Sequence, residues 1–443
     1  MPGEEIESVE PNRGTGLPGE EGSAVLRTNM GFGAQLTQER RSIVVWAGSV
    51  YLVMMAAFPI LLTPYRFDDT FDRLIPEKLS KPGGSYLGWF LDQTVPWMHN
   101  QGRFFPGAVA WREFVFTTFT TRASYKLFMA ALSLTVMAAV VTLVWKMTGA
   151  KMVGAVAVTS LAATWTLRPW TDGLDSFAGL LPWTVLASIA SLLLLMRGRG
   201  WLSAVLALLL WSGVLVTYEV AILITPALLL CVWLSGRGPA RSLLLFWPAL
   251  ADLLFVVILR SQAVAIAPAY RINLDFGAVF ETYIRQSTAA LPLSRFWYPG
   301  ATLGILPLRL AAIALIVIGI PAGLVLVGVW QSRPNPTWRS LLGIGFFGAT
   351  CWLAPPLLVA ITQRWQVSLP PGEGYLSVVW GFVGVALIMA SIWLSLAKLS
   401  LRSSFARWTI PLLTLLTICL AGLAALSFAA NYFFASSLAF PGV

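Results

Sequence analysis

Three carboxylates stand close together early in this chain: Asp68 and Asp69 side by side, and Asp72 three residues on, within Tyr65-Arg-Phe-Asp-Asp-Thr-Phe-Asp-Arg73. Two ionised neighbours repel, and each loses hydration near an apolar phase, so at least one is expected to hold its proton above the usual range. A carboxylate poised in this way can act as a general base. Asp is also common in plain turns, because it bonds to its own backbone. Position favours chemistry. The acidic run directly follows an apolar stretch, residues 43–64, long enough to cross a bilayer, so it is expected at a membrane surface. His99 is the only histidine. With no His-Glu-x-x-His pattern and no His/Cys cluster, zinc hydrolysis is not expected.

The elements that must position these residues are set by composition. Of 443 residues, 57% are hydrophobic and 11% charged, far below the roughly 25% charge of soluble domains. With a mean hydropathy of +0.75, the chain is expected to be an all-α polytopic membrane protein. The net charge of +10 comes without a basic aromatic strip, so nucleic acid is not an expected partner. Cys231, Cys351 and Cys419 all fall within apolar runs and read as small buried residues. Residues 1–40 are rich in Glu, Gly and Pro, and they are expected to form a disordered cytoplasmic tail rather than a signal peptide. Residues 41–443 are expected to form the transmembrane domain.

Apolar runs predict about eleven spans, near 43–64, 126–146, 152–168, 178–196, 201–217, 220–236, 242–259, 305–330, 340–361, 375–397 and 409–430. The stretch 201–236 is nearly continuous. As one helix it would be roughly 50 Å long against a bilayer of about 30 Å, so it is read as a hairpin turning at Thr217-Tyr-Glu219. Basic pairs alternate along the chain: Arg40/Arg41, Lys146/Lys151, Arg197/Arg199, Arg237/Arg241, Arg333/Arg339 and Lys398/Arg402/Arg407. By the positive-inside rule these loops are cytoplasmic, which puts the N-terminus inside and the C-terminus outside. Beyond the tail, every acid except Asp252 then lies outside, and Asp252 falls midway along the seventh span. Intramembrane Asp is costly unless paired or protonated. The first and fourth outer loops, 65–125 and 260–304, are long and carry aromatic, interfacial-helix patterns. They are expected to close over one cavity. Gly319-x-x-x-Gly323 reads as helix packing.

The acidic pair after the first span, the long first outer loop with two interfacial helices and the polytopic body resemble the type-C glycosyltransferase (GT-C) superfamily. Asp68-Asp69, Gly102-Arg-Phe-Phe105 and Tyr218-Glu219 are most similar to its bacterial O-antigen glucosyltransferase branch. The resemblance covers roughly residues 43–300, and the last four spans match no pattern. It implies a polyprenyl-phosphate sugar donor, a glycan or lipid acceptor at the outer face, inversion at the sugar carbon, and an integral protein of the bacterial plasma membrane. Asp68 and Asp69 become the catalytic carboxylates, with Asp68 as base, and both are candidate ligands for Mg or Mn. Arg260 and Arg271 become candidates to meet the leaving phosphate. Arg103 and His99 are candidates for sugar or phosphate, Glu219 for substrate, and Asp172, beside Trp170, for sugar hydroxyls. The same features leave open a lipid-linked glycan transporter or flippase, and an O-antigen-type polymerase or ligase.

Overall fold

In the computed structural model, residues 20–80, 85–169, 172–198, 200–236, 239–263, 266–267, 270–297 and 306–439 are described. Trp170, Arg199 and Arg237, which the sequence reading used, lie outside them, as does the tail up to residue 19. The chain divides into a first unit ending at Ile43 and a second, Val44–Val443. The described residues are helical and contain no named strand. Part of the expected disordered tail is helix: the first helix begins at Glu20 and runs to Leu62.

Eight helices are long and apolar enough to cross a membrane: α1 (Gln38–Leu62), α2 (Arg122–Thr148), α4 (Phe177–Arg197), α7 (Ala240–Gln262), α8 (Leu308–Gln331), α9 (Trp338–Ala360), α10 (Val378–Ser400) and α11 (Ser404–Ala439). Three more are apolar but shorter: α3 (Lys151–Thr164), α5 (Trp201–Leu215) and α6 (Glu219–Leu234). Each expected span therefore has a helix, and 201–236 breaks into two helices at the expected turn. This is an all-α polytopic membrane protein. The core is α10, 72% buried along its apolar stretch, whereas α7 is only 22% buried and turns most of its surface outward. α9 and α10 approach closely: an added Cβ at Gly384 would lie 2.5 Å from the Gly348 carbonyl oxygen. Gly319 meets α11 at Ala421 and Ala425, but Gly323 faces open space. The expected glycine pair is thus only half a packing motif, and the tight contact lies elsewhere.

Capping fixes the helix ends. Thr121 accepts from the Ser124 N–H to start α2, and Gly149, at φ +75°, ends it. The short basic loops gather at one end of the bundle. Arg241 donates to the Gly198 carbonyl, and Lys146, Arg197 and Arg339 line one pocket. The long loops occupy the other end. The first of them folds into helices Tyr86–Gln101 and Pro106–Thr118. The other carries helix Phe276–Thr288, capped by Asp275. That helix turns Phe276, Phe280 and Ile284 outward and buries Thr282 and Gln286. An apolar face turned outward with a polar face turned inward is the pattern of a helix set against lipid.

Candidate functional site

Two polar layers form at the long-loop end. One is a lattice of buried charges. The Arg66 guanidinium donates to both Asp175 carboxylate oxygens at 3.1 and 3.0 Å, and to the carbonyls of Arg168 and Pro169 at 2.7 and 2.8 Å. Phe67 and Phe434 lie against it. Lys126 donates to the Asp175 carbonyl at 2.6 Å. Arg168 reaches Ser294 at 3.1 Å and the carbonyls of Gly372 and Ala289, while Arg295 holds the Leu167 carbonyl at 2.7 Å. Four buried cations, Arg66, Lys126, Arg168 and Arg295, thereby share this region with four buried carboxylates, Asp69, Asp172, Asp175 and Glu373. A buried charge is tolerated only when paired and hydrogen-bonded, so each loop needs the others in place.

This layer relocates two expected site residues. Asp69 is fully buried. The Tyr125 hydroxyl donates to one of its oxygens at 2.6 Å and the Ala178 N–H to the other at 3.1 Å. Burial pushes its pKa from 3.8 up to about 7, against the opposing pull of the Tyr125 hydrogen bond and of Lys126. Asp172 is also fully buried, where it accepts from the N–H groups of Arg168 and Leu174. Burial, then the Asp175 charge, raises it to about 7 against Arg66. Neither side chain is open to a sugar. Asp69 spends both oxygens on the protein, so the Asp68-Asp69 pair does not offer two free carboxylates to Mg or Mn. Among the described residues no group of three or more His, Cys, Asp or Glu side chains converges.

The second layer is a cavity of about 240 Å³ lined by Arg103, Tyr218, Glu219, Asp252, Arg260, Tyr270 and Tyr375, with Leu253, Val256, Ile272 and Leu358 as apolar wall. It joins the two long loops, the α5–α6 tip and the segment before α10, as expected for loops sharing one cavity. Local geometry builds it. Helix Tyr86–Gln101 ends on Gly102 at φ +59°, and a Cβ there would lie 2.6 Å from the Arg260 Cα. Glycine alone permits both the turn and the contact, and it delivers Arg103 beside Arg260. Gly107 receives the α5–α6 tip in the same way, its N–H donating to the Val216 carbonyl at 3.0 Å. Opposite, the antiparallel bridge of Ile272 with Thr362 holds the Tyr270 segment. Gln286 fixes Tyr375 by accepting from its N–H at 2.7 Å and donating to its carbonyl at 3.1 Å.

Inside the cavity, Arg103 donates to Glu219 at 2.9 Å. The other Glu219 oxygen, one Asp252 oxygen and the Tyr218 hydroxyl are buried without a hydrogen-bond partner. Buried polar atoms of this kind normally have partners, so three of them around one space call for a ligand rich in hydroxyls or other donors. Burial raises the Tyr375 hydroxyl to about 12. Asp68 is exposed at the start of the turn Asp69–Asp72. Asp72 pairs with Arg112 at 3.2 Å.

Of the expected residues, the fold thus unites Arg103, Glu219 and Arg260 in one cavity, while Asp68 is not among the residues that line it. His99 is exposed and hydrogen-bonds the Asn100 side chain at 3.2 Å; it does not line the cavity. Arg271 is exposed and contributes its carbonyl, which accepts from the Gln363 N–H, while its side chain does not line the cavity. The sequence reading missed Tyr270, Tyr375 and the role of Asp252. Tyr375 carries no signal of its own, whereas a lone intramembrane acid is a signal that points to a site. No protein-family model matches the chain, and no curated protein matches it.

Proposed function

We propose that this protein is an integral membrane glycosyltransferase that moves a sugar from a polyprenyl-phosphate donor to a cell-envelope glycan or lipid acceptor at the outer face of a bacterial plasma membrane. One observation carries the reading. A single cavity holds two arginines, three unpartnered buried polar atoms and an apolar wall. Those three features suit the three parts of such a donor: phosphate, sugar and lipid. The wall includes Leu253 and Val256 of α7, the helix that is mostly turned outward, so a lipid tail has a lateral way in.

In this reaction Asp68 takes the proton of an acceptor hydroxyl. The freed oxygen attacks the sugar carbon from the face opposite the phosphate, and the bond from that carbon to the phosphate oxygen breaks. The electron pair leaves on polyprenyl phosphate, where Arg260 meets its growing charge. Arg103 is already paired with Glu219, so it steers rather than carries the charge change. Asp69 and Asp172 hold the loops. No step is assigned to a divalent cation.

The test is sugar transfer by the purified protein from a radiolabelled polyprenyl-phosphate hexose to a cell-envelope acceptor fraction. Asp68→Asn should lower the rate about 10²- to 10⁴-fold, the usual cost of losing a general base, with donor binding retained. A near wild-type rate in that variant would remove the main support for the enzyme reading.

Asp252 favours a second reading. An intramembrane carboxylate open to a cavity is also how transporters couple protons to a substrate. A lipid-linked glycan transporter would move the intact donor across a vesicle bilayer without cleaving it, and would need Asp252 rather than Asp68.

A further inference from the structure

The end opposite this cavity holds a second built site. A pocket of about 400 Å³ lies among the ends of α2, α4, α6 and α9, and Lys146, Arg197 and Arg339 line it together with the hydroxyls of Ser235 and Ser340. Lys146 and Arg197 close the carboxyl ends of α2 and α4, where a cation suits the helix dipole. Arg339 is held over the Trp233 ring and Lys146 over Trp145. Among the described residues no Asp or Glu lines this pocket. Lys146, Leu193 and Arg197 also border an adjoining groove of about 600 Å³, whose remaining wall includes Ala190 and Leu194.

We propose that this pocket and groove bind one anionic phospholipid, its phosphodiester headgroup among Lys146, Arg197 and Arg339 and one acyl chain along the α2–α4 groove. Three cations without a lining carboxylate match a headgroup of net negative charge and offer no partner to the amine of a zwitterionic one. Basic pockets between membrane helices are suited to such headgroups. The continuous groove favours a lipid over a free phosphate ester. The site is independent of the cavity at the other end and of the reaction proposed there.

Native mass spectrometry of the full-length protein in detergent tests this, titrating phosphatidylglycerol against phosphatidylcholine of the same chains. The wild-type protein should bind phosphatidylglycerol about tenfold or more tightly, and the double variant Lys146→Gln/Arg339→Gln should lose that preference. Arg402→Gln removes an exposed cation from another loop of the same end and should keep it. If the double variant does not fold, Lys146→Gln alone should weaken phosphatidylglycerol about fivefold. Equal binding of the two lipids by the wild-type protein would overturn the proposal, as would an equal loss in Arg402→Gln. So would displacement of the lipid by an equal concentration of glycerol 1-phosphate, which would leave the groove without a part.

Discussion

At Asp69 the surroundings of the carboxyl matter more than its place in the sequence. Adjacent carboxylates suggest shared chemistry, yet the backbone sends Asp68 to the surface and Asp69 into the buried lattice. The raised pKa expected for one of the pair appears on the buried member, and burial rather than the neighbouring charge is its main cause. This has a consequence for stability. The folded state holds the Asp69 proton up to about pH 7, whereas the unfolded chain releases it near its ordinary value of 3.8. Between these values the folded state binds more protons, so the Asp69 contribution is full below about pH 4 and declines as pH rises toward 7. Asp172 acts in the same window and direction. Asp69→Asn should therefore flatten the fall in melting temperature between pH 4 and pH 7, measured in detergent by intrinsic fluorescence. An unchanged slope would mean that Asp69 is ionised in the folded protein across that range.

At the scale of helices, most of the architecture was legible in the sequence. Apolar runs and basic loops place all eleven apolar helices, because a bilayer imposes a length and a charge pattern on any span. Contacts between helices were not legible in the same way. Gly319-x-x-x-Gly323 has the expected spacing, but spacing does not say which face meets a partner. Gly348 and Gly384, which do meet closely, lie on different helices; each ends a Gly-Phe-x-Gly run, and nothing in either run names the other as its partner. An added methyl at Gly384 would meet two backbone atoms, the Gly348 oxygen at 2.5 Å and the Trp352 nitrogen at 2.6 Å, and neither can rotate away. Gly384→Ala should cost about 1–3 kcal/mol and lower the melting temperature by several degrees. Gly323→Ala, with nothing within 4 Å, should leave it unchanged or slightly higher. The charged lattice was equally hidden. Arg66 and Asp175 are 109 residues apart, and Asp172 read as a sugar ligand because Trp170 stands beside it in the sequence. Long-range pairing depends on the completed fold, which no local pattern encodes.

For the whole molecule, the short loops carry cations without acids while the long loops carry both signs, and this segregation predicts a sidedness. Cysteine replacing exposed Asn335, between α8 and α9, should react with a membrane-impermeant maleimide only after the membrane is opened. Cysteine replacing exposed Asp92, in the first long loop, should react in intact cells. The reverse pattern would invert the topology and place the cavity on the cytoplasmic side. The three short helices add a consequence of another kind. α5 runs 15 residues, so it is only about 22 Å long against a hydrocarbon layer of about 30 Å. Trp201, Leu202 and Leu209 of α5 are exposed, so this shortfall faces outward rather than being absorbed by neighbouring helices. A bilayer beside α5 must thin locally to match it. The Tyr218-Glu219 tip that lines the cavity is where α5 and α6 meet. A dimple in the membrane would therefore form beside that tip and shorten the distance a lipid headgroup must sink to reach it.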